Sequence, residues 1–450
     1  MSDLPPLWRH QRDAIDACIS RRGSLLHMGL GTGKTRVTVE LLERWDAKVA
    51  IVVCPLSVAP TWPTEIGKYA TSRWRVLNLC TGGGVRGNKV AAAEREMREA
   101  AHRGERLLLV LNYEAVYRAP FGAWAIRQGF DALVVDEAHR LKAPKGVQSK
   151  YVWKLSATCK RVVALTGTPM PAGPMDAFAQ FRIIAPQLFG TSYFRFRSRY
   201  AKMGGYGGHE VVGYQRMDEF RDLLASATYQ VGRDVLDLPD ATHTTIDVPL
   251  GKRGRAIYDE LERALRVEIE EGTIDVSNAL VKLIRLQQLT GGVASTDDGL
   301  AQVDTSKEDA LVDLLGSVDD DEPFVVFGQY RSDLAAIHRA AERLGRSSME
   351  LSGAVNQLSE WQGGGAPILA VQIHSGGAGI NLTRACYVAY YSTGFNGGDY
   401  EQSLARAHRP GQDRAVSCYH LHAHDTIDAR VFRALASKKK VVDAILEDLS

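Results

Sequence analysis

The sequence predicts an α/β protein made of two doubly wound parallel-sheet lobes with a helical segment between them. Three observations carry this. The chain has 450 residues, more than one ordinary core accommodates, so two large lobes are the simplest expectation. Short aliphatic runs alternate with helical or loop segments in both halves. The stretch joining the halves has a different texture, with apolar residues at helical spacing.

The runs of the first half are KVAIVVCP (48 to 55), RLLLVLNY (106 to 113), DALVVDEAH (131 to 139) and KRVVALTGT (160 to 168). Each ends in polar, Gly or Pro residues, which suits parallel strands buried on both faces. MGGYGGHEVVG (203 to 213) predicts a loop, and DVLDLPDATH (234 to 243) holds a proline suited to a lobe crossing. With the hinge near Pro239, the expected lobes are 1–238 and 239–450. Ile257, Leu261, Leu265, Leu280, Leu283 and Ile284 predict a helical insert over about 255–292 that stops at Gly291 and Gly292. EPFVVFGQY (322 to 330), APILAVQI (366 to 373) and CYVAYYS (386 to 392) then repeat the strand style, and TIDARVFRALAS (426 to 437) predicts a helix. No repeat of solenoid period is present.

Composition is that of a soluble globular protein, 45% apolar and 24% charged, with no apolar run long enough to span a bilayer. The start, MSDLPPLWRHQRD, lacks an apolar signal core, and a cytoplasmic protein with no membrane partner is expected. Six cysteines, at 18, 54, 80, 159, 386 and 418, show no Cys-x-x-Cys and no histidine at metal-ligand spacing. They read as small core residues of a reduced compartment. Net charge is +2, but up to residue 240 there are 34 Lys plus Arg against 23 Asp plus Glu, and 21 against 30 after it. That asymmetry suits a basic surface for a polyanion on the first half, or two lobes attracting each other.

The strongest local signal is LLHMGLGTGKTRVTV (25 to 39). A Gly-rich turn lets backbone N–H groups close around phosphate oxygens. Lys34 then neutralises charge, and the Thr35 hydroxyl helps hold Mg²⁺ at a helix start. The strict phosphate-loop pattern asks for glycine where Met28 stands. A bound nucleotide also needs a metal ligand and a base for the attacking water, and LVVDEAHRLK (133 to 142) offers Asp136 for the first and Glu137 for the second. In EQSLARAHRPGQ (401 to 412), Arg406 and Arg409 are three apart and on a helix share a face. Such a pair is either a solvated stripe or a source of positive charge for a phosphoryl transition state.

Together these residues resemble the Swi/Snf-type ATPases of helicase superfamily two, the motors of chromatin remodellers and their small bacterial and phage relatives. LWRHQ (7 to 11) is similar to the family's entry motif, HMGLGTGKT to motif I, VVCPLSVAPTW (52 to 62) to motif Ia, DEAHRLK to motif II and LTGTPM (165 to 170) to motif III. VVFGQYRSDL (325 to 334) resembles motif IV, SGGAGINLT (375 to 383) motif V and RAHRPGQ motif VI. The resemblance implies two RecA-like lobes with helical protrusions between them. It implies that Gln11 reads adenine and that Met28, Gly29, Gly31, Thr32, Gly33, Lys34, Thr35 and Gly379 bind ATP. Thr35 and Asp136 then hold Mg²⁺, Glu137 is the base, and Arg406 and Arg409 act on the transition state. Pro55, Ser57 and Asn381 are the positions implied near a DNA backbone.

The chain departs from the family in three places. Phe395, Asn396 and Gly397 stand where Trp-Asn-Pro is usual, the stretch from Gly353 to Pro367 is short, and residues 187 to 230 match poorly. YFRFRSRY (193 to 200) suits a DNA contact, and equally the wet face of an element that buries Phe194, Phe196 and Tyr200. The expected function is that of a minimal, DNA-stimulated ATPase, with no added reader, nuclease or zinc module, that steps along double-stranded DNA. The alternatives are a strand-separating helicase of the same superfamily and an ATP-dependent DNA-binding module without turnover. A small-molecule kinase leaves motifs Ia, III, V and VI unexplained.

Overall fold

Seven parallel strands form the first sheet, and each owes its place to a run of aliphatic side chains covered on both faces. The computed structural model describes residues 4–80, 88–167, 170, 173–205, 207, 210–271, 276–296, 299–375 and 380–436. The chain divides into two units, Met1–Leu236 and Asp237–Ser450. In the first, β1 (Gly23–Met28), β2 (Val49–Cys54), β3 (Trp74–Asn78), β4 (Arg106–Asn112), β5 (Ala132–Asp136) and β6 (Arg161–Thr166) precede a hairpin of β7 (Ala201–Gly204) and β8 (Glu210–Tyr214), followed by β9 (Thr228–Val231). The sheet order is β3-β4-β2-β5-β6-β1-β9. Leu133, Val135, Ile51, Val53, Leu107 and Leu109 are fully buried in its core. All four runs read from the first half are strands of this sheet.

Register decides what the sheet presents. Leu26 of β1 and Asp136 of β5 both stand opposite Leu165 of β6, and His27 stands opposite Thr166. The C-terminal ends of β1, β5 and β6 therefore finish at one edge, where open α/β sheets place their ligands.

Two expectations for this unit are corrected. Where a loop was expected over 203–213, Ala201–Gly204 and Glu210–Tyr214 pair as antiparallel strands, because β-branched Val211 and Val212 supply a second strand; residues 206, 208 and 209 lie outside the described residues. YFRFRSRY is a helix, Tyr193–Tyr200, that buries Phe196 and Tyr200 one turn apart but leaves Phe194 69% exposed. Helical period puts residue 194 on the opposite face. Arg199 is not displayed for a ligand: it makes a paired contact to Glu219 at 2.7 and 2.8 Å, and Tyr200 donates to the same carboxylate at 2.6 Å.

In the second unit, β10 (Ala241–Val248) comes first, and a small hairpin of β11 (Val293–Thr296) and β12 (Gly299–Gln302) follows the helices Lys252–Glu270 and Val276–Thr290. Then come β13 (Phe324–Gly328), β14 (Ser348–Leu351), β15 (Ile368–Gln372), β16 (Tyr387–Tyr390) and β17 (Val416–Ala423). They form a six-stranded parallel sheet in the order β10-β17-β16-β13-β15-β14. The α/β, doubly wound architecture expected from the sequence is thus present in both units. The helical segment also forms, packing Tyr258, Leu265, Leu283 and Leu286 against Ile427 and Val431 of the helix Ile427–Ala436. Leu280, counted with its apolar stripe, is instead 36% exposed. A buried ion pair fixes that last helix: Lys307 meets Asp428 at 2.5 Å, and Asp428 also accepts from Thr290 Oγ1 and the Ala423 N–H. All six cysteines are buried and unbridged. Among the described residues no helix is long and apolar enough to cross a membrane.

One close approach anchors β1. A Cβ on Gly23 would lie 1.9 Å from the Ile184 carbonyl oxygen. Gly23→Ala is expected to destabilise the first unit by about 1 to 3 kcal/mol through overpacking against backbone. Urea unfolding measures this, and an unchanged midpoint refutes it.

Candidate active site

The loop between β1 and the helix Lys34–Arg44 turns on two glycines with left-handed backbone, Gly31 (φ 85°) and Gly33 (φ 87°). Only glycine takes these conformations without strain, and they allow consecutive N–H groups to line a concavity. Lys34 opens the helix and donates through Nζ to the carbonyls of Met28 at 2.8 Å and Gly29 at 3.2 Å. Thr35, next in the helix, is half-buried.

Thr32 lies differently from the expectation that it meets ATP. It is fully buried, and both its hydroxyl (2.7 Å) and its N–H (3.3 Å) donate to the Gly29 carbonyl. Its own carbonyl is paired with His10 Nε2 at 2.9 Å and accepts from Gln11 Nε2 at 3.2 Å. Thr32 braces the loop because its short hydroxyl reaches back three residues. Gln11 is nearly buried, its Oε1 accepting from the Trp8 N–H at 3.0 Å. Gln11 thus stands against the phosphate loop itself, so close that a Cβ on Gly33 would lie 2.3 Å from Nε2. The N–H of Gly29 donates to Val231 of β9 at 2.9 Å, and Gly29 packs on Gly232 and Arg233. β9 therefore holds the loop from behind.

Across the same edge, Asp136 ends β5 with its side chain 7% exposed and Oδ1 accepting from the Glu137 N–H at 2.9 Å. That bond forms because Glu137 takes a left-handed conformation (φ 52°, ψ 52°), uncommon for a residue with a side chain. Tyr113 fixes the strand end from below, donating to the Asp136 carbonyl at 2.6 Å. Burial, and then the charge of Glu137, push the Asp136 carboxyl up to about 7, with Lys34 acting in the opposite sense. The buried indole N–H of Trp62 faces the same carboxyl, with no acceptor at hydrogen-bond geometry among the described residues. Glu137 in turn lies 3.3 Å from His139 Nδ1, which is 3.2 Å from Thr166 Oγ1 at the end of β6. So the first unit brings together Gln11, the 28–35 loop, Asp136 and Glu137. The sequence reading missed His10, Trp62, Tyr113, His139, Thr166 and Val231 as their supports. His10, Trp62, His139 and Thr166 were within reach, since all four lie inside quoted motifs.

Arg406 is nearly buried in the helix Gly397–Ala407, whose N-cap is Asn396, accepting from Gly398 N–H at 3.0 Å. Arg409 does not share its helical face. The helix ends at Ala407 because the residue before Pro410 is driven out of helical backbone, and Arg409 sits in the following turn. There it donates to the Ile380 carbonyl at 3.2 Å, while Gln412 Nε2 donates to Ala385 at 2.9 Å and reaches Thr383 and Ala407. His408 Nε2 is paired with the Pro239 carbonyl at 2.8 Å. Asn381 is exposed, its Oδ1 accepting from the Thr383 N–H at 3.0 Å. Ser57 is exposed but Pro55 is buried, its carbonyl accepting from Val58 and Ala59, so Pro55 shapes the turn and offers no surface. Gly379 lies outside the described residues.

The family model for the SNF2-related domain matches residues 8–291. The chain belongs to the SNF2-related domain family. Phage protein p41, from Acyrthosiphon pisum secondary endosymbiont phage 1, is 26% identical over 470 aligned residues, covering 97% of each chain. MG018 of Mycoplasma genitalium, described as an ATP-dependent helicase, is 23% identical over 95% of this chain and 41% of its own length. The bovine DNA annealing helicase and endonuclease ZRANB3 is 24% identical over 97% of this chain and 40% of its own. The chain thus spans nearly all of the phage relative and about two fifths of the two larger ones. A solved structure, the Sulfolobus solfataricus SWI2/SNF2 ATPase core in complex with dsDNA, aligns over 99% of this chain and 95% of that one, at 21% identity and a TM-score of 0.45. The enzyme class read from the motifs, an ATP hydrolase of helicase-like type, agrees with SNF2 membership.

The buried carboxyl yields a prediction with a definite sign. Unfolded, Asp136 ionises near about 3.9, so between roughly pH 4 and 7 the unfolded chain gives up a proton that the SNF2 fold retains. Through this residue the first unit loses stability as pH rises across that window. Asp136→Asn keeps the acceptor and removes the penalty, so the variant should be more stable at pH 8 by on the order of 1 to 4 kcal/mol, the gap closing toward pH 4. Melting temperatures across pH check this, and a gap independent of pH contradicts it.

Proposed function

We propose that this chain is an ATP hydrolase stimulated by DNA, which tracks along duplex DNA and couples turnover to closure of its two lobes. The observation that carries the reading is the pairing of Asp136 and Glu137 at the strand edge that also bears the Lys34 loop. A carboxyl there is buried, short of counter-charge and set beside a second carboxylate with its own orienting partners. That is the donor set a nucleotide triphosphate and its metal need.

In this reading Lys34 leaves the Met28 and Gly29 carbonyls for the β- and γ-phosphates, and Gly31 and Gly33 offer their backbone N–H groups to the phosphate oxygens. Asp136 and the Thr35 hydroxyl hold Mg²⁺, a fit supported by the burial of a carboxyl that no guanidinium or ammonium contacts directly among the described residues. When bound, the ion supplies neutralisation of phosphate charge. Glu137 orients the attacking water and takes its proton, while His139 and Thr166 keep its carboxylate from swinging away. Arg406 and Arg409 add positive charge to the phosphoryl transition state on closure.

Duplex DNA as the track is supported by the basic balance of the first half and by the exposed positions of Ser57 and Asn381. The names of MG018 and ZRANB3 give ATP dependence and DNA action to relatives of this fold. Backbone contacts make such a motor tolerant of sequence and sensitive to salt.

Steady-state ATPase of the purified chain, without nucleic acid and then with duplex DNA, single-stranded DNA or RNA, tests the proposal. Stimulation by duplex that fades as salt rises is expected, followed by displacement of a third strand from a triplex. Stimulation by single strands alone, or release of a strand from a forked duplex, points to the strand-separating alternative. Lys34→Ala is expected to weaken nucleotide binding. Glu137→Gln should bind normally and lose about 10²- to 10⁴-fold in turnover. Arg409→Ala should lose about a thousandfold in turnover with affinity preserved. Normal turnover in the glutamine variant would falsify the role given to Glu137.

A further inference from the structure

The geometry points to a metal site in the second unit, formed by His243, Cys418 and His420, with zinc(II) as the ion it suits. None of these residues belongs to the nucleotide machinery. In β17 the sequence CYHLHAH alternates, so Cys418 and His420 share one face, and the parallel register sets His243 of β10 opposite Cys418. All three donor atoms lie within 4.8 Å of one another. His243 Nδ1 is 3.3 Å from His420 Nε2, and Cys418 Sγ is 3.5 Å from the same nitrogen. A tetrahedral zinc ion, bound at about 2.0–2.1 Å by nitrogen and about 2.3 Å by sulfur, sets its donors about 3.3 to 3.6 Å apart. Two of the three edges already have that length.

Hydrogen bonding does not account for the arrangement. An imidazole nitrogen carries one proton or one lone pair. Yet His243, Cys418 and the Tyr400 hydroxyl, at 3.4 Å, all converge on His420 Nε2. The other ring nitrogen, Nδ1, is buried with no hydrogen-bond partner among the described residues. Polar groups packed 3.3 to 3.5 Å from one imidazole nitrogen have the donor-to-donor spacing that a shared ion sets. Cys418 and His420 are buried, with the Phe432 ring 4.4 Å from that of His420, while His243 is exposed on the edge strand and gives an ion its way in. Tyr400 or a water completes the four positions. On binding, the Cys418 thiol releases its proton to solvent and a sulfur–metal bond forms. The sequence expectation of no histidine at metal-ligand spacing weighed loop spacings, whereas Cys418 and His420 stand two apart on one strand. The i, i+2 interval of a strand brings donors together as effectively as a knuckle does.

Such an ion would staple β10, the entry strand of the second unit, to β17. The test uses the full chain, stripped with a chelator and kept free of nucleotide. Zinc titration against a chromophoric chelator should give one ion per chain, and cobalt(II) should give a thiolate charge-transfer band with intense visible bands of tetrahedral type. His243→Ala, at an exposed position, should keep its circular dichroism and lose about tenfold or more in affinity. Cys418→Ser should lose the charge-transfer band. The proposal is overturned if the stripped chain takes up no zinc, if His243→Ala binds as the parent does, or if the cobalt spectrum lacks a thiolate band.

Discussion

The carboxyl of Asp136 is held at the end of a strand covered on both faces, where water cannot solvate its charge, and much of the first unit is arranged around that restriction. An uncompensated charge in such a place is costly, and burial pushes the carboxyl up to about 7. The surroundings answer the same need by degrees. The Glu137 N–H is turned onto Oδ1 by a left-handed backbone, Lys34 lends a distant positive charge, and Tyr113 takes the carbonyl so that the strand end does not fray. The sheet register does the rest, since β1, β5 and β6 stop at one level.

A second theme is that the phosphate loop is braced from outside itself. Thr32, central in the motif, has its polar groups turned to Gly29, His10 and Gln11. β9, more than a hundred and ninety residues later, supplies the carbonyl that ties Gly29. A loop with two left-handed glycines has little intrinsic rigidity, and its shape is fixed by these neighbours.

What was legible in the sequence follows from this division. Aliphatic runs such as AIVV and ALVV name their own strands because burial on both faces leaves no other composition, and Lys34, Asp136 and Glu137 announce themselves because their chemistry admits few substitutes. The rest depends on partners distant in the chain. Nothing local says that Thr228–Val231 joins the sheet beside β1, or that Pro55 is covered. Glycine content hid the 201–214 hairpin, although Val211 and Val212 were a strand signal. Spacing alone put Arg409 on a helix that Pro410 forbids, and the alternating row from Cys418 was passed over because it was weighed by loop spacings.

The hydrogen bond from His408 to the Pro239 carbonyl closes a long loop in the second unit. Pro239 lies three residues into that unit, just ahead of β10, and His408 is the immediate neighbour of Arg409. The backbone entering β10 and the turn carrying Arg409 therefore share one imidazole as a strut, although 169 residues separate its ends.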